Sequence, residues 1–239
     1  MASSNKRQNL QTIRKAIERL GPLANQVVLL GGGSTELLLT DPGAPTARKS
    51  DDVDVIAKLE TQTEYYAFAD LLRQTGFTED TSPDAPICRW KSDTGDLLDI
   101  IPTSEDVFGF GNRWCGPALA NAEWIDLSDT PGLQIRVRRI TAPYFIATKL
   151  EAFDDRGNGD YQASHDMEDI IAVIDGRPEI IDDTLGAPKD LQDYLKDRFK
   201  RLLKTNKFLE ALPGHLPPDD ASQKRLSLVI ERIRSLANL

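Results

Sequence analysis

Three aspartates on two strand-like segments have the residue type and spacing for metal chemistry. Asp52 and Asp54 open the run DVDVIAKL, and Asp99 lies inside the apolar run LLDII. Because side chains alternate along a strand, Asp52 and Asp54 project from the same face. Carboxylates this close repel each other unless a cation lies between them, and Mg²⁺ binds a few carboxylates together with substrate phosphates. We therefore predict that Asp52, Asp54 and Asp99 hold Mg²⁺ or Mn²⁺ beside a phosphorylated substrate.

Each aspartate also has an interpretation without a metal. Asp52 and Asp54 can be solvated at an acidic junction between a loop and a strand. An unpaired carboxylate is costly to bury, so Asp99 either faces water on an edge strand or meets a counter-charge. Asp96 is a rival to Asp99, but it lies nearer the turn and fits a turn role better.

A glycine cluster precedes the aspartates in the run LLGGGSTELLL. Without Cβ atoms, Gly31, Gly32 and Gly33 let backbone N–H groups approach a ligand closely, and the helix that follows offers its positive end to phosphate. Ser34 can add a hydroxyl donor. The alternative is an ordinary flexible turn. The spacing matches neither a Walker A loop nor the GxGxxG of dinucleotide-binding folds.

Strands and helices alternate in the first part of the chain. The pattern predicts a helix that stops at Gly21, a strand at QVVLL, a helix capped by Ser34 or Thr35, a strand at DVDVIAKL and a helix ending at Gly76. It also predicts two strand pairs, PICRWKS with DLLDIIP around DTG, and AEWIDL with LQIRVRRI around SDTPG.

The second part of the chain has helical periodicity throughout. Predicted helices cover residues 141–153, 164–174, 188–203, 205–212 and 221–238. We therefore predict an α+β fold with a mixed sheet in a core domain over residues 1–140, followed by a helical domain over residues 141–239.

The composition of the chain argues against several classes of protein. With 29 Lys and Arg against 38 Asp and Glu, the formal net charge is −9, which argues against a protein that coats nucleic acid non-specifically. Cys88 and Cys115 are too few for a disulfide framework and are expected in the core. No run has the length of a signal peptide or a membrane helix, so we expect a cytoplasmic protein without a membrane partner. The basic runs KDRFKRLLKTNK and RVRR are either solvated faces or guides for a polyanionic acceptor.

The order of these motifs resembles the nucleotidyltransferase superfamily, which includes DNA polymerase β-like and aminoglycoside-modifying enzymes. In that superfamily a Gly-Gly/Ser turn precedes a pair of aspartates and a third carboxylate on a later strand, and the matching runs here are GGGS, DDVD and LLDII. The sequence looks closer still to the AbiEii/MenT group of abortive-infection and toxin–antitoxin nucleotidyltransferases. The matching segments are GGGSTELLL followed by RKSDDVDVI, then TKLEAFDDR, then SHDMEDI.

The resemblance implies roles for individual residues. A nucleoside triphosphate would bind Gly32, Gly33, Ser34, Arg48 and Ser50. Asp52 and Asp54 would share the metal. Asp99 would bind a metal nearer the acceptor or act as the base for the acceptor hydroxyl.

Residues of the second part would complete the chemistry. By resemblance, Lys149 would contact the nucleotide's phosphates, and Asp166 with Asp169 would position that lysine or the acceptor. The chain departs from many relatives by having Ser164 and His165 where they have Arg and Lys, which moves the expected phosphate contact towards Arg156.

The implied activity is transfer of a nucleoside monophosphate to an acceptor hydroxyl. The resemblance favours an RNA acceptor, in particular the acceptor end of tRNA, and a growth-arresting toxin with a cognate antitoxin. Two alternatives stay open, which are nucleotidylation of a small molecule, as in antibiotic-modifying relatives, and a non-catalytic nucleotide-binding module.

Overall fold

A computed structural model of the chain describes residues 2–128 and 135–239. The chain divides into two compact units. One contains Ser3–Ser34 and Lys49–Thr141, and the other contains Thr35–Arg48 and Ala142–Leu239. We refer to them as the sheet unit and the helical unit.

Strands and helices follow in a mixed order along the described residues. The strands are β1 Val27–Leu30, β2 Asp52–Ala57, β3 Phe77–Glu79, β4 Arg89–Ser92, β5 Leu97–Pro102, β6 Glu123–Asp126 and β7 Arg136–Arg139. The helices are α1 Ala2–Leu20, α2 Gly31–Leu38, α3 Gln62–Gln74, α4 Cys115–Ala120, α5 Ala142–Arg156, α6 His165–Gly176, α7 Ile180–Leu185, α8 Lys189–Leu202, α9 Asn206–Ala211, α10 Asp220–Lys224 and α11 Leu226–Ala237.

The sheet unit is built on one mixed sheet. Its strand order among the described residues is β3-β4-β5-β2-β1-β7-β6. The central strand β2 runs antiparallel to β1 and parallel to β5. Val53 and Val55 of β2 are buried, whereas Asp52 and Asp54 are half-buried on the opposite face. Apolar burial therefore fixes which face of β2 presents its carboxylates.

The helical unit is held by apolar helix faces. α5, α6, α8 and α11 pack against one another. Their fully buried side chains include Phe145, Ile170, Leu195, Phe199 and Ile233. α8 has one apolar stripe, Leu191, Leu195, Phe199 and Leu202, whereas α5 is buried at every residue from Ala142 to Leu150.

The predicted fold class is confirmed as mixed α+β, with helices throughout the second part of the chain. β4 and β5 form the predicted hairpin, and β6 pairs with β7. The SDTPG turn between β6 and β7 lies, apart from its first residue, outside the described residues. The predicted domain boundary at residue 140 stays a prediction.

Some predicted element boundaries were wrong. Helix α2 begins at Gly31 rather than at Ser34 or Thr35, because Gly31 with φ 73° ends the strand and the next two glycines already form the first helical turn. The predicted helix over residues 221–238 is two helices, which meet at Arg225. The short elements β3, α4 and α7 were not predicted.

Two further expectations concern the cysteines and the membrane. Cys88 and Cys115 are buried and form no disulfide, as predicted, and burial raises the pKa of each thiol to about 12. Among the described helices, none combines the length and the apolar character needed to cross a bilayer.

Candidate functional site

A cluster of three carboxylates and one guanidinium lies on β2, β4 and β5 of the sheet unit. The parallel register pairs Asp54 with Asp99, and the hairpin register pairs Arg89 with Asp99. Asp52 lies two residues before Asp54 on the same face. The structure thus brings together the three aspartates that the sequence pattern singled out.

Arg89 connects two of these aspartates directly. Its Nε donates to Asp99 Oδ1 at 2.8 Å, and its Nη2 donates to Asp99 Oδ2 at 2.7 Å. The same Nη2 donates to Asp52 Oδ2 at 2.7 Å. Arg89 therefore forms a two-point contact with one carboxylate and a one-point contact with the other.

The most buried carboxylate of this cluster is the one that Arg89 contacts at two points. The side chain of Asp99 is 8% exposed, that of Arg89 20% and that of Asp52 30%. The hydrogen bonds that Arg89 donates to Asp99 raise the pKa of Arg89, and the negative charges of Asp99, Asp52 and Asp54 add to this effect. Burial of Asp99 is tolerable because this guanidinium supplies its counter-charge.

Ser50 fixes Asp52 from the other side. Ser50 Oγ donates to Asp52 Oδ1 at 3.0 Å, and the backbone N–H of Ser50 donates to Asn9 Oδ1 at 3.0 Å. Asn9 and Ser50 are both buried. The position of the Asp52 carboxylate is therefore set by the buried amide of α1 as well as by Arg89.

The glycine turn lies directly against Asp54. Gly31 has φ 73°, and a Cβ atom built on it would be 1.7 Å from Asp54 Oδ2. A Cβ atom on Gly33 would be 3.3 Å from the carbonyl oxygen of Asp52. Gly32 is buried within the first turn of α2. The absence of a side chain at residue 31 thus makes room for a carboxylate of the protein itself.

Ser34 is placed differently from a ligand-binding hydroxyl on the surface. It is buried, and its Oγ donates to the carbonyl oxygen of Leu30 at 2.6 Å. This bond joins the last residue of β1 to the first turn of α2. In this conformation the hydroxyl stabilises the turn, and its predicted contact with a nucleotide stays a prediction.

The donor chemistry of the cluster fits a hard divalent cation. Carboxylate oxygens are the ligands that Mg²⁺ and Mn²⁺ prefer, and Asp52, Asp54 and Asp99 supply them on one face of the sheet. As the side chains lie, however, no group of three or more His, Cys, Asp or Glu within the described ranges is placed to hold an ion. In this arrangement both oxygens of Asp99 and one of Asp52 accept hydrogen bonds from Arg89.

A second cluster lies within the helical unit and contains the other predicted residues. Lys149 Nζ on α5 is 3.0 Å from Asp166 Oδ1 and 2.7 Å from Asp169 Oδ2, both on α6. Arg156 contacts both oxygens of Asp166, at 3.0 and 2.9 Å. Arg48 contacts both oxygens of Asp169, at 2.9 and 3.1 Å.

Helix spacing explains most of this second cluster. Asp166 and Asp169 are three residues apart, and Lys149 and Arg156 are seven apart, so each pair lies on one helix face. Arg48 is held in place because the N–H of the preceding residue, Ala47, donates to the buried Glu36 carboxylate at 3.0 Å.

In the second cluster three cationic side chains contact the two carboxylates of Asp166 and Asp169. Burial acts to raise the pKa of Asp166, but hydrogen bonds from Arg156 and the charge of Lys149 outweigh it and hold that pKa below its usual value. Lys149 is thus a buried lysine fixed by two carboxylates rather than a lysine on an exposed helix face.

The two residues at the start of α6 have structural contacts. Ser164 caps the helix by accepting a hydrogen bond from the N–H of Met167 at 3.3 Å. His165 is exposed, and its Nδ1 lies 3.2 Å from Glu168 Oε2. Neither replaces the basic residues of the resemblance, whereas Arg156 does bring a guanidinium to Asp166.

Arg89 is the residue of the first cluster that the sequence analysis missed. A signal for it was present, since the predicted hairpin around DTG, once paired in register, places Arg89 opposite Asp99. A counter-charge for Asp99 was one of the two predicted outcomes, and Arg89 supplies it.

Replacement of Gly31 tests how tightly the turn contacts Asp54. Gly31→Ala should lower the free energy of unfolding by about 2 kcal/mol more than Gly21→Ala, because the added methyl group must displace a carboxylate. Gly21 is the matched control, since it also has positive φ, 54°, but has nothing within 4 Å of a built Cβ. Urea unfolding of both variants measures the difference, and equal losses would contradict the contact.

Replacement of Lys149 tests the buried ion pairs of the helical unit. Lys149→Met should lower the free energy of unfolding at pH 7 by about 3 kcal/mol, because two buried carboxylates each lose a partner. The exposed Lys189, whose Nζ lies 2.9 Å from Asp193, is the control, and Lys189→Met should cost well under about 1 kcal/mol.

The same variant has an expected pH dependence. Because the pKa of Asp166 is lowered in the folded protein, its contribution to stability is present above the ordinary value of 3.8 and is lost as the pH falls through the folded value. The difference between wild type and Lys149→Met should therefore be constant from pH 7 down to about 4 and shrink as the pH falls further. A difference that stays constant below about pH 4 as well would argue that Lys149 acts by packing alone.

Comparison with known proteins finds similarity in structure only. No protein family matches the chain, and no curated protein matches it. An antigenic nucleotidyltransferase-like protein from Paracoccidioides brasiliensis is similar with a TM-score of 0.45 and 16% identity, over 85% of this chain and 93% of that one. JHP933 from Helicobacter pylori is similar with a TM-score of 0.43 and 15% identity, over 96% of this chain and 88% of that one. At these scores and identities, neither likeness assigns the chain to a family.

Proposed function

We propose that the chain is a metal-dependent nucleotidyltransferase that moves a nucleoside monophosphate from a nucleoside triphosphate to an acceptor hydroxyl. One observation carries this proposal. Asp54 and Asp99 are directly paired on neighbouring strands, Asp52 is joined to Asp99 through Arg89, and the glycine turn that begins α2 contacts Asp54. Carboxylates beside the start of a helix suit a metal-bound triphosphate, because the carboxylates attract the metal and the helix start attracts the phosphates.

Other reaction classes have less support from the described residues. Both thiols are buried with pKa values raised to about 12, so neither is a ready thiolate nucleophile. The chain has two histidines, and the structure places His165 in the open beside Glu168, while His215 Nε2 contacts the carbonyl oxygen of Tyr161 at 2.7 Å. Neither contact pairs a histidine with a nucleophile.

The residues of the sheet unit would share the work of positioning. Asp52, Asp54 and Asp99 would hold Mg²⁺ or Mn²⁺, and the N–H groups of Gly32 and Gly33 would face phosphate oxygens. The bound cation would neutralise triphosphate charge during transfer. Asp52 is already oriented by Ser50, so little rearrangement of that carboxylate is needed.

The transfer itself is an in-line substitution at the α-phosphorus. The acceptor oxygen forms a bond to phosphorus while the bond to the pyrophosphate oxygen breaks, and pyrophosphate leaves. The proton of the acceptor hydroxyl passes to a carboxylate, for which Asp99 is the proposed base. Both oxygens of Asp99 accept hydrogen bonds from the Arg89 side chain. Asp99 can therefore accept the proton only after Arg89 has moved away from one of these oxygens.

The cluster around Lys149 supports a phosphate-binding role for the helical unit. Its lysine and two arginines are side chains that bind phosphate oxygens, and the Arg156 side chain is 69% exposed. Asp166 and Asp169 would keep Lys149 in one orientation. We propose that Lys149 and Arg48 contact nucleotide phosphates, as the resemblance implies.

For the acceptor, we propose RNA, with the acceptor end of tRNA as the first candidate. In a chain of net charge −9, the end of α8 and the start of α9 carry the exposed cations Lys200, Arg201, Lys204 and Lys207. Exposed cations on an acidic protein favour a polyanionic partner. A toxin role with a cognate antitoxin follows from the resemblance and is part of the same proposal.

Label transfer tests this function. Purified protein with Mg²⁺, each labelled nucleoside triphosphate in turn and total RNA should label a tRNA-sized band, and the double variant Asp52→Asn/Asp54→Asn should lose roughly a thousandfold in rate. Asp51→Asn is the matched control, because Asp51 is exposed and pairs with Lys49 outside the cluster. Asp51→Asn should retain the wild-type rate.

The other outcomes separate the alternatives. Label in metabolites but not in RNA would indicate a small-molecule acceptor. Calorimetric nucleotide binding that is indifferent to Mg²⁺, without transfer to any acceptor, would favour a non-catalytic binding module. Label that persists in Asp52→Asn/Asp54→Asn would show that these carboxylates do not carry the reaction.

A further inference from the structure

We propose that Arg89 is an internal competitor of the divalent cation, which occupies the carboxylates until the metal displaces its side chain. This inference rests on the proposed function, since it concerns the metal of that same site. It assigns Arg89 the part of a positioning residue that controls access to Asp52 and Asp99.

The contacts of Arg89 leave Asp99 no oxygen without a hydrogen bond. Both oxygens of Asp99 accept from the guanidinium, at 2.8 and 2.7 Å, and the side chain is 8% exposed. One oxygen of Asp52 accepts from the same guanidinium and the other from Ser50. A cation that bound Asp99 together with Asp52 would need the space and the lone pairs that Arg89 now uses.

The charges of the cluster also indicate that Arg89 and a divalent cation compete for the carboxylates. Three carboxylates and one guanidinium leave two negative charges, whereas three carboxylates alone leave three. Each opposite charge within hydrogen-bond distance of a carboxylate reduces its attraction for another cation. Loss of the Arg89 charge should therefore strengthen metal binding.

The backbone around Arg89 is fixed, so only its side chain can move. The N–H of Arg89 donates to Pro86 O at 2.9 Å, and its carbonyl oxygen accepts from the N–H of Asp80 at 3.0 Å. The hairpin register with Asp99 adds a further restraint. The guanidinium itself is 20% exposed and contacts the more exposed Asp52, so rotation of the long side chain can take it towards water.

The alternative is a permanent structural ion pair. In that case Arg89 would remain on Asp99 after metal binding, and the cation would use only Asp52 and Asp54. Removal of Arg89 would then destabilise the protein without strengthening metal binding beyond what any nearby cation would do. The two possibilities differ in the sign and size of one measurable quantity.

That quantity is the affinity of the apo protein for Mn²⁺, measured by the electron paramagnetic resonance signal of free Mn²⁺. Arg89→Gln should bind Mn²⁺ about tenfold more tightly than the wild type. Lys91→Gln is the matched control, because it removes one positive charge from the same strand, and Lys91 pairs with Asp80 at 3.2 Å rather than with the cluster. Lys91→Gln should change the affinity by less than about twofold.

Equal or weaker Mn²⁺ binding by Arg89→Gln would overturn the proposal, as would equal strengthening by Lys91→Gln. Thermal unfolding gives a second readout, because Mn²⁺ should raise the melting temperature of Arg89→Gln more than that of the wild type. If Arg89→Gln does not fold, Arg89→Lys carries the test. Lysine keeps the charge but loses the two-point contact, and it should bind Mn²⁺ about threefold more tightly than the wild type.

Failure of this inference is distinguishable from failure of the proposed function. Metal affinity is measured without nucleotide or acceptor, so it does not depend on transfer. Label transfer with unchanged Mn²⁺ affinity in Arg89→Gln would refute the competition alone. Tighter Mn²⁺ binding without label in any acceptor would refute the transferase and leave Arg89 as the competitor at a metal-binding carboxylate site.

Discussion

Three neighbouring carboxylates on one face of a sheet repel one another, and the arrangement of the sheet unit depends on how that repulsion is balanced. The parallel pairing of β2 with β5 sets Asp54 beside Asp99, and strand alternation adds Asp52 on the same face. Apolar burial on the opposite face of β2 prevents a shift of register that would separate them. Since the carboxylates cannot move apart, another strand must supply a positive charge beside them. Arg89 from β4 brings it, and Ser50 and the turn at Gly31 fix the two carboxylates that Arg89 does not enclose.

The helical unit balances its charges in a different way. Its two carboxylates lie on one face of α6 and are shared among Lys149, Arg156 and Arg48, so every carboxylate contacts two cations. Each cluster suits a different chemical group: the cations of the helical unit suit phosphate oxygens, and the carboxylates of the sheet unit suit a divalent cation.

Periodicity in the sequence predicted much of this arrangement, and tertiary pairing supplied the rest. Alternation placed Asp52 and Asp54 on one face, and helical spacing grouped Asp166 with Asp169. The register of β2 against β5 was beyond prediction, because a slip of two residues keeps every side chain on its own face and so leaves no trace in the alternation pattern. Arg89 was within reach, since a hairpin with a short turn restricts its own register. The start of α2 was misplaced because Ser34 resembles a helix cap, yet its hydroxyl bonds backwards to Leu30.

The contact between Gly31 and Asp54 changes how a glycine at this position should be interpreted in other chains. A glycine beside a suspected phosphate site is usually credited to the ligand, but here the atoms that exclude a side chain belong to residue 54. The two positions are therefore constrained as a pair. A related chain with a smaller side chain at residue 54 would have room for a methyl group at residue 31, although the positive φ of residue 31 still disfavours alanine there. If residues 31 and 54 change together among related chains, the cause would be the space that the carboxylate of residue 54 needs and not contact with a nucleotide.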